Sequence, residues 1–430
     1  MSTKLGQIAK KAKLDRQVRF TSLAHLLTPE FLKETWRMLN RKAASGIDGE
    51  STEQFASEME ERVEEICKQL RAGTYRAPPV RRVEIPKGPG KSGTRPLGIP
   101  TVADRLLQRA VARILEAVFE ADFLDCSFGF RPGRNPHHAL QALRRQVVTG
   151  KVSHVFEADI RSYFTRIDHQ WLRRMVAHRI ADPIILRLIS KWLKAGALRD
   201  GVFIAAEEGT PQGGPISPVL SNVYLHFTLD LWFEKKFKSQ CRGEAYLVRF
   251  ADFVGCFQFQ DDVQNFQRQL RERFARFNLE LAEDKTRLLL FGRFAAAMRG
   301  RRRLRPETFE FLGFKHVCGV DRRGRFALIR IPSTKSCRKF LARTREWLLA
   351  HRHWKRREQQ HHLTVMLRGF YQYFALHHCE RKLSWIRYEI LRQWKHALQR
   401  RGQRRRLSWE RLGNGSWFEL PFARNMHPTV

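Results

Sequence analysis

Two apolar runs, each carrying an aspartate, constrain this chain more than anything else in it. Residues 154–164 (HVFEADIRSYF) open as a strand and put Asp159 near its C-terminal end. Residues 246–257 (YLVRFADFVGCF) form a second apolar run, interrupted by one acid, Asp252. A carboxylate inside an apolar strand is costly unless something compensates it. Set side by side, the two strands would converge both acids on one point, as suits a divalent cation that shares carboxylates with substrate phosphates. Each acid also reads as an ordinary strand-end or turn residue. Between the runs lies 208–218 (EGTPQGGPISP), whose Gly213 and Gly214 permit close backbone approach and whose Gln212 offers an amide to a base or sugar.

Charge narrows the partner. The 430 residues carry 80 Lys and Arg against 43 Asp and Glu, a net +37. That excludes an ordinary enzyme of small anions and points to a polyanion, nucleic acid first and an anionic membrane second. No run approaches the ~20 apolar residues of a spanning helix, and the N-terminus lacks a secretory apolar stretch. Seven cysteines are scattered without a CxxC pair, which reads as reduced thiols in a cytoplasmic protein.

The length suggests two to four structural units of roughly 100–200 residues. Residues 301–430 hold 31 Lys and Arg against nine Asp and Glu, interleaved with Trp347, Trp354, Phe370, Tyr371, Tyr373, Phe374, Trp385 and Trp394. Those spacings predict helices with an apolar stripe and basic outer faces. Single aromatics of this kind are ordinarily core. Their combination with the charge favours an RNA-facing helical region. Periodicity predicts one helix over 49–71 and another over 101–121, and alternation predicts a basic hairpin from Val83–Ile85 to Arg95–Ile99.

Nine segments, in order along nearly the whole chain, resemble the reverse transcriptase/maturase proteins encoded by bacterial group II introns. They are Ala44–Gly49, Tyr75–Ile85, Pro86–Pro100, Ser127–Arg134, Glu157–Asp159, Gly209–Pro218, Arg249–Asp252, Leu279–Arg287 and Phe309–Lys315. The resemblance implies an α+β right-hand polymerase: fingers and palm, with an antiparallel palm sheet, over 76–300. A 1–75 extension precedes them, a helical thumb/maturase region follows over 301–400, and a short basic DNA- or RNA-binding appendage over 401–430. It implies group II intron RNA, target DNA, primer/template duplex and dNTP as partners, no membrane, Mg²⁺ as cofactor, and a bacterial cytoplasmic ribonucleoprotein or nucleoid setting. The HNH endonuclease of many relatives, which carries cysteine pairs, is not expected.

Matched residue by residue, Asp159 and Asp252 correspond to metal-binding aspartates, with Glu157 a candidate third ligand. Lys285 corresponds to a lysine that protonates pyrophosphate. Lys87 and Arg95 match the triphosphate clamp, and the main-chain N–H groups of Ile160, Arg161, Ser162, Tyr163 and Phe164 would face the triphosphate. Phe164 matches the steric gate, Gln212 with Gly213 the nucleotide-positioning loop, and Phe311, Leu312 and Gly313 the primer grip. One departure stands out. The family reads aromatic-Ala-Asp-Asp where this chain reads Phe250-Ala251-Asp252-Phe253. The flanks align best if one aspartate is deleted, which would flip every downstream side chain unless a turn or bulge absorbs the change. RNA binding is then expected to persist while polymerisation is impaired. A fully active polymerase using a substitute ligand is the alternative.

Overall fold

The computed structural model describes residues 3–86, 93–199, 202–205, 209, 213–295, 306–401, 407–413 and 418–427. Lys87, Gln212 and the 404–406 arginines lie outside them. The described strands are β1 (Val80–Pro86), β2 (Thr94–Ile99), β3 (His154–Ala158), β4 (Ala197–Arg199), β5 (Val202–Ile204), β6 (Ala245–Arg249), β7 (Phe253–Phe257), β8 (Arg287–Leu290), β9 (Thr308–Phe311), β10 (Phe314–Val320) and β11 (Phe326–Pro332). They form three sheets, ordered β2-β1-β4-β5, β6-β7-β3-β8 and β11-β10-β9. The chain is thus a mixed α+β protein dominated by antiparallel pairing.

The β6-β7-β3-β8 sheet is covered on both faces, which is why its strands read as apolar runs rather than as alternation. On one face Phe156, Leu247 and Phe253 join the helices Val102–Phe119 and Gln260–Arg276 in one core. On the other, Val155, Val248, Val254 and Leu289 join helix Pro136–Thr149 and the C-terminal helices in a second core. Strand β7 is buried along its whole length.

The expected hairpin is β1–β2, with Ile85 opposite Arg95. The helix expected over 101–121 runs from Val102 to Phe119, its first turn capped by the Thr101 hydroxyl accepting from the Asp104 N–H. The single helix expected over 49–71 is instead two, Thr52–Ser57 and Met59–Ala72, broken at Glu58. Ser51 and Gln54 close a capping box on the first, so a local start signal competes with the continuous apolar period.

The region from 301 to 400 is not helical throughout. Its described part opens with the β9-β10-β11 sheet, where Thr308-Phe-Glu-Phe alternates with Phe309 and Phe311 inward. Helices Thr334–Ala350, Arg356–Phe374 and Glu380–Gln399 follow. Phe370, Tyr371, Phe374 and Trp394 form their buried stripe, whereas Trp354 and Trp385 stay exposed. Among the described residues no helix is long and apolar enough to cross a membrane.

Candidate metal and nucleotide site

Strands β3 and β7 are neighbours, and they carry the two singled-out acids at the same end of the sheet. Asp159 directly follows β3. Its carbonyl accepts from the Ala282 N–H at 2.8 Å, so the β3 end is pinned against the segment that leads to Lys285. Asp252 is the last residue of a three-residue tip, Phe250–Asp252, between Arg249 and Phe253, which pair across the hairpin. Both ladders of β7 run without a bulge from Phe253 onward. The strand therefore keeps its buried faces.

A buried network holds the base of this tip. Arg249, 1% exposed, donates from Nε and Nη2 to the two Asp230 carboxylate oxygens at 2.8 and 2.6 Å. It also donates to Asn222 Oδ1 at 3.0 Å and Ser127 Oγ at 2.7 Å. Asp230 lies in a π-helical turn, His226–Asp230, a geometry frequent at functional sites. Gly129 sits so close to the tip that a Cβ there would lie 1.8 Å from the Phe250 carbonyl oxygen.

The two acids face each other closely enough for each carboxyl to feel the other's charge. Asp252 is exposed at the hairpin tip, yet its carboxyl is enclosed by neighbouring chain. That loss of water, and then the facing Asp159, push it up to about 6. Lys285 Nζ donates to Asp159 Oδ2, and this bond holds the Lys285 ammonium above the usual lysine range. Lys335, at the start of helix Thr334–Ala350, also lowers the Asp252 carboxyl. Glu157 is occupied by Arg287 at 3.8 Å, and burial raises its carboxyl. Among the described residues no group of three or more His, Cys, Asp or Glu is arranged to hold a metal. The pair Asp159 and Asp252 does fit a hard divalent cation that completes its shell with water and substrate phosphates. Glu157 is not brought into that pair.

Other expected residues fall as follows. Arg95 is exposed on β2. The Ile160 side chain is buried in the core. The Arg161 N–H already donates to the Glu280 carbonyl at 2.8 Å, so it does not face outward as expected. Ser162 has a φ of +47°, and Phe164 lies half-buried in the short turn that follows, its ring 5.3 Å from that of Tyr163. Gly213 has a φ of +126°, and a Cβ there would lie 2.3 Å from the Gly98 carbonyl oxygen. The absence of a Cβ lets Gly213 itself pack against β2. Phe311 is buried, while Leu312 and Gly313 make the β9–β10 turn.

A family model for the reverse transcriptase (RNA-dependent DNA polymerase) matches residues 85–316, more than half of the chain. The chain belongs to the reverse transcriptase family. Protein YkfC of Escherichia coli (strain K12) is 39% identical to this reverse transcriptase over 227 residues, 51% of the chain and 59% of YkfC. The group II intron-encoded protein LtrA of Lactococcus lactis subsp. cremoris is 40% identical over 226 residues, 52% of the chain and 37% of LtrA. Nuclear intron maturase 1, mitochondrial, of Arabidopsis thaliana is 28% identical over 114 residues, 26% of the chain and 16% of that protein. The chain thus spans less than two thirds of the relatives it matches.

Sequence reasoning missed three residues of this reverse transcriptase's site. Asp230 and Asn222 carry no local signal beyond being polar in an apolar helical run (217–240), which is itself the clue that a buried partner exists. Lys335 belongs to a distant basic run and reaches Asp252 only through the fold.

Proposed function

We propose that this reverse transcriptase is a group II intron maturase that binds intron RNA and promotes its splicing, with a polymerase core of weakened catalysis. In this reading the β2-β1-β4-β5 sheet belongs to the fingers, the β6-β7-β3-β8 sheet to the palm, and the helices after 334 to the thumb. Residues 1–75 extend the fingers and 401–430 form a basic appendage. The observation that carries the weakened catalysis is a pair of facing carboxylates where the family pattern calls for one more. Asp159 and Asp252 would hold Mg²⁺, which supplies Lewis-acid activation of a 3′-hydroxyl and charge stabilisation on the phosphates. Lys285 is placed to give a proton to a leaving pyrophosphate, Arg95 to meet the triphosphate, and Phe164 to sense the sugar 2′ position. RNA binding draws on the net +37 of the chain.

The test is primer extension on an RNA template by this chain and by a version with Asp inserted between Asp252 and Phe253. The insertion is expected to raise the rate by about 10²–10⁴, on ~1.4 kcal/mol per tenfold. RNA affinity should be equal in both. Equal extension rates would overturn the weakened-catalysis reading and favour an active RNA-directed DNA polymerase. Glu157, which shares a strand face with Asp159, or a rearranged hairpin would then supply the third ligand.

A further inference from the structure

A second charged feature draws on residues other than those around the paired aspartates. Strand β10 starts at the Leu312–Gly313 turn and ends, seven residues later, at the β10–β11 hairpin tip. At ~3.3 Å per residue, that tip is roughly 20 Å from the turn. Between it, helix Pro136–Thr149 and the segment after Phe374 runs a cleft of about 1370 Å³. Six arginines line it, against two carboxylates, Asp321 and Glu380. Asp321 is already spent: it accepts from the Arg325 guanidinium at 2.9 Å and from the Arg323 and Arg325 backbone N–H groups. Arg144, Arg322 and Arg323 are exposed and make no ion pair with any described residue.

The neighbouring cleft across the same helix, about 820 Å³, carries less excess charge. Two of its four cations are paired, Arg134 with Asp125 at 2.7 Å and Lys238 with Glu234 at 2.8 Å, while Arg144, which it shares, and Arg145 make no ion pair with any described residue. The larger cleft sets six arginines against two carboxylates, one of them already spent, in a concave surface where low-dielectric walls focus the field. This larger cleft also carries flat side chains. His377 and His378 line it with ring centroids 4.0 Å apart, His378 held at a φ of +72°, and half-buried Phe326 lines it too. Cations that track phosphates beside rings on which bases stack are the combination that holds an unpaired strand.

We propose that this cleft binds an unpaired RNA segment, through phosphate contacts from Arg144, Arg322 and Arg323 and base stacking near His377 and His378. The proposal rests on the RNA-binding reading above and gives it a second anchoring site, separate from the polymerase centre. A strand held here would leave the paired aspartates free.

The full chain is titrated with a fluorescein-labelled, mixed-sequence single-stranded RNA of about twenty nucleotides at several salt concentrations. The variants are R144Q/R322Q/R323Q and R144K/R322K/R323K, with thermal unfolding checking that each keeps the parent's fold. Loss of three phosphate contacts should flatten the slope of log K against log salt by about 2, and weaken binding tenfold or more near ~0.1 M salt. The lysine variant should keep the parent slope. Parent-like binding by the glutamine variant overturns the cleft, and so does a lysine variant that fails as badly as the glutamine one. A parent chain with salt-insensitive or negligible RNA binding overturns instead the RNA-binding reading beneath it. A DNA duplex that competes as well as the RNA for the parent, and loses as much on substitution, overturns the assignment to RNA.

Discussion

At the β9–β10 tip two residues reverse the chain, and at the β6–β7 tip three do, yet the two turns are held in different ways. Leu312 and Gly313 have φ values of +50° and +78°, the pattern of a two-residue I′ turn that follows strand twist. The turn's outside supports act on its backbone: the Ser333 N–H and Ser336 hydroxyl donate to the Gly313 carbonyl at 2.9 and 3.1 Å, and the Tyr373 hydroxyl donates to the Leu312 carbonyl at 2.9 Å. Within the Phe250–Asp252 tip the Phe250 N–H donates to the Asp252 carbonyl at 3.0 Å, and the tip's base is held by buried side chains, Arg249 on Ser127, Asn222 and Asp230, with Gly129 packed against Phe250. The contrast teaches where precision is stored. A turn that positions backbone can be written into two residues. A turn that must aim a carboxylate at another, on a strand 93 residues earlier in sequence, needs a buried scaffold.

This contrast can be broken at its strongest point. Asp230→Ala leaves the Arg249 guanidinium buried without its carboxylate and is expected to cost about 3–5 kcal/mol, read from denaturant unfolding. The double change Arg249→Met with Asp230→Leu should recover most of that stability, because no charge is then stranded. A single-variant loss under about 1 kcal/mol would mean that the network does not hold the tip.

Gly129→Ala probes the same scaffold more gently. The new methyl must push the Phe250 carbonyl away, an overpacking cost of about 1–3 kcal/mol. Divalent-ion binding at Asp252, followed by Mn²⁺ titration, should weaken along with it. Unchanged metal affinity would show that the tip moves independently of Gly129.

The smallest effect is expected at the β9–β10 turn. Leu312→Gly relieves a left-handed conformation worth roughly 1 kcal/mol but gives up side-chain contact and adds unfolded-state freedom. Stability should stay within about 1 kcal/mol of the parent by the same measurement. A large loss would place the Leu312 side chain, not the turn geometry, at the centre of the tip's stability.

Much of the framework is legible from neighbours in sequence. Alternation marks β1 and β2, the Thr101 cap and apolar period mark the helix at Val102, and the aspartates in apolar runs mark the ends of β3 and the β6–β7 hairpin. Period and composition mislead where two local signals compete. The Ser51–Gln54 box divides a helix that the apolar stripe makes continuous, and a basic, aromatic-rich stretch conceals the β9-β10-β11 sheet behind an expectation of helix.

The sequence alone therefore determines which residues can be strand, helix or turn, the polyanionic character of the partner, and the family through motif order. These depend on spacing, capping and charge count, which are local or additive. Only the tertiary structure decides that Asp159 and Asp252 meet, that Arg249 is neutralised by Asp230, that Gly213 packs against β2, and that one basic cleft pairs half of its cations while its neighbour gathers six arginines against two carboxylates. Each of these is a contact between segments far apart along the chain. Whether a charge is free or spent depends on which distant group the fold brings within about 3–4 Å of it.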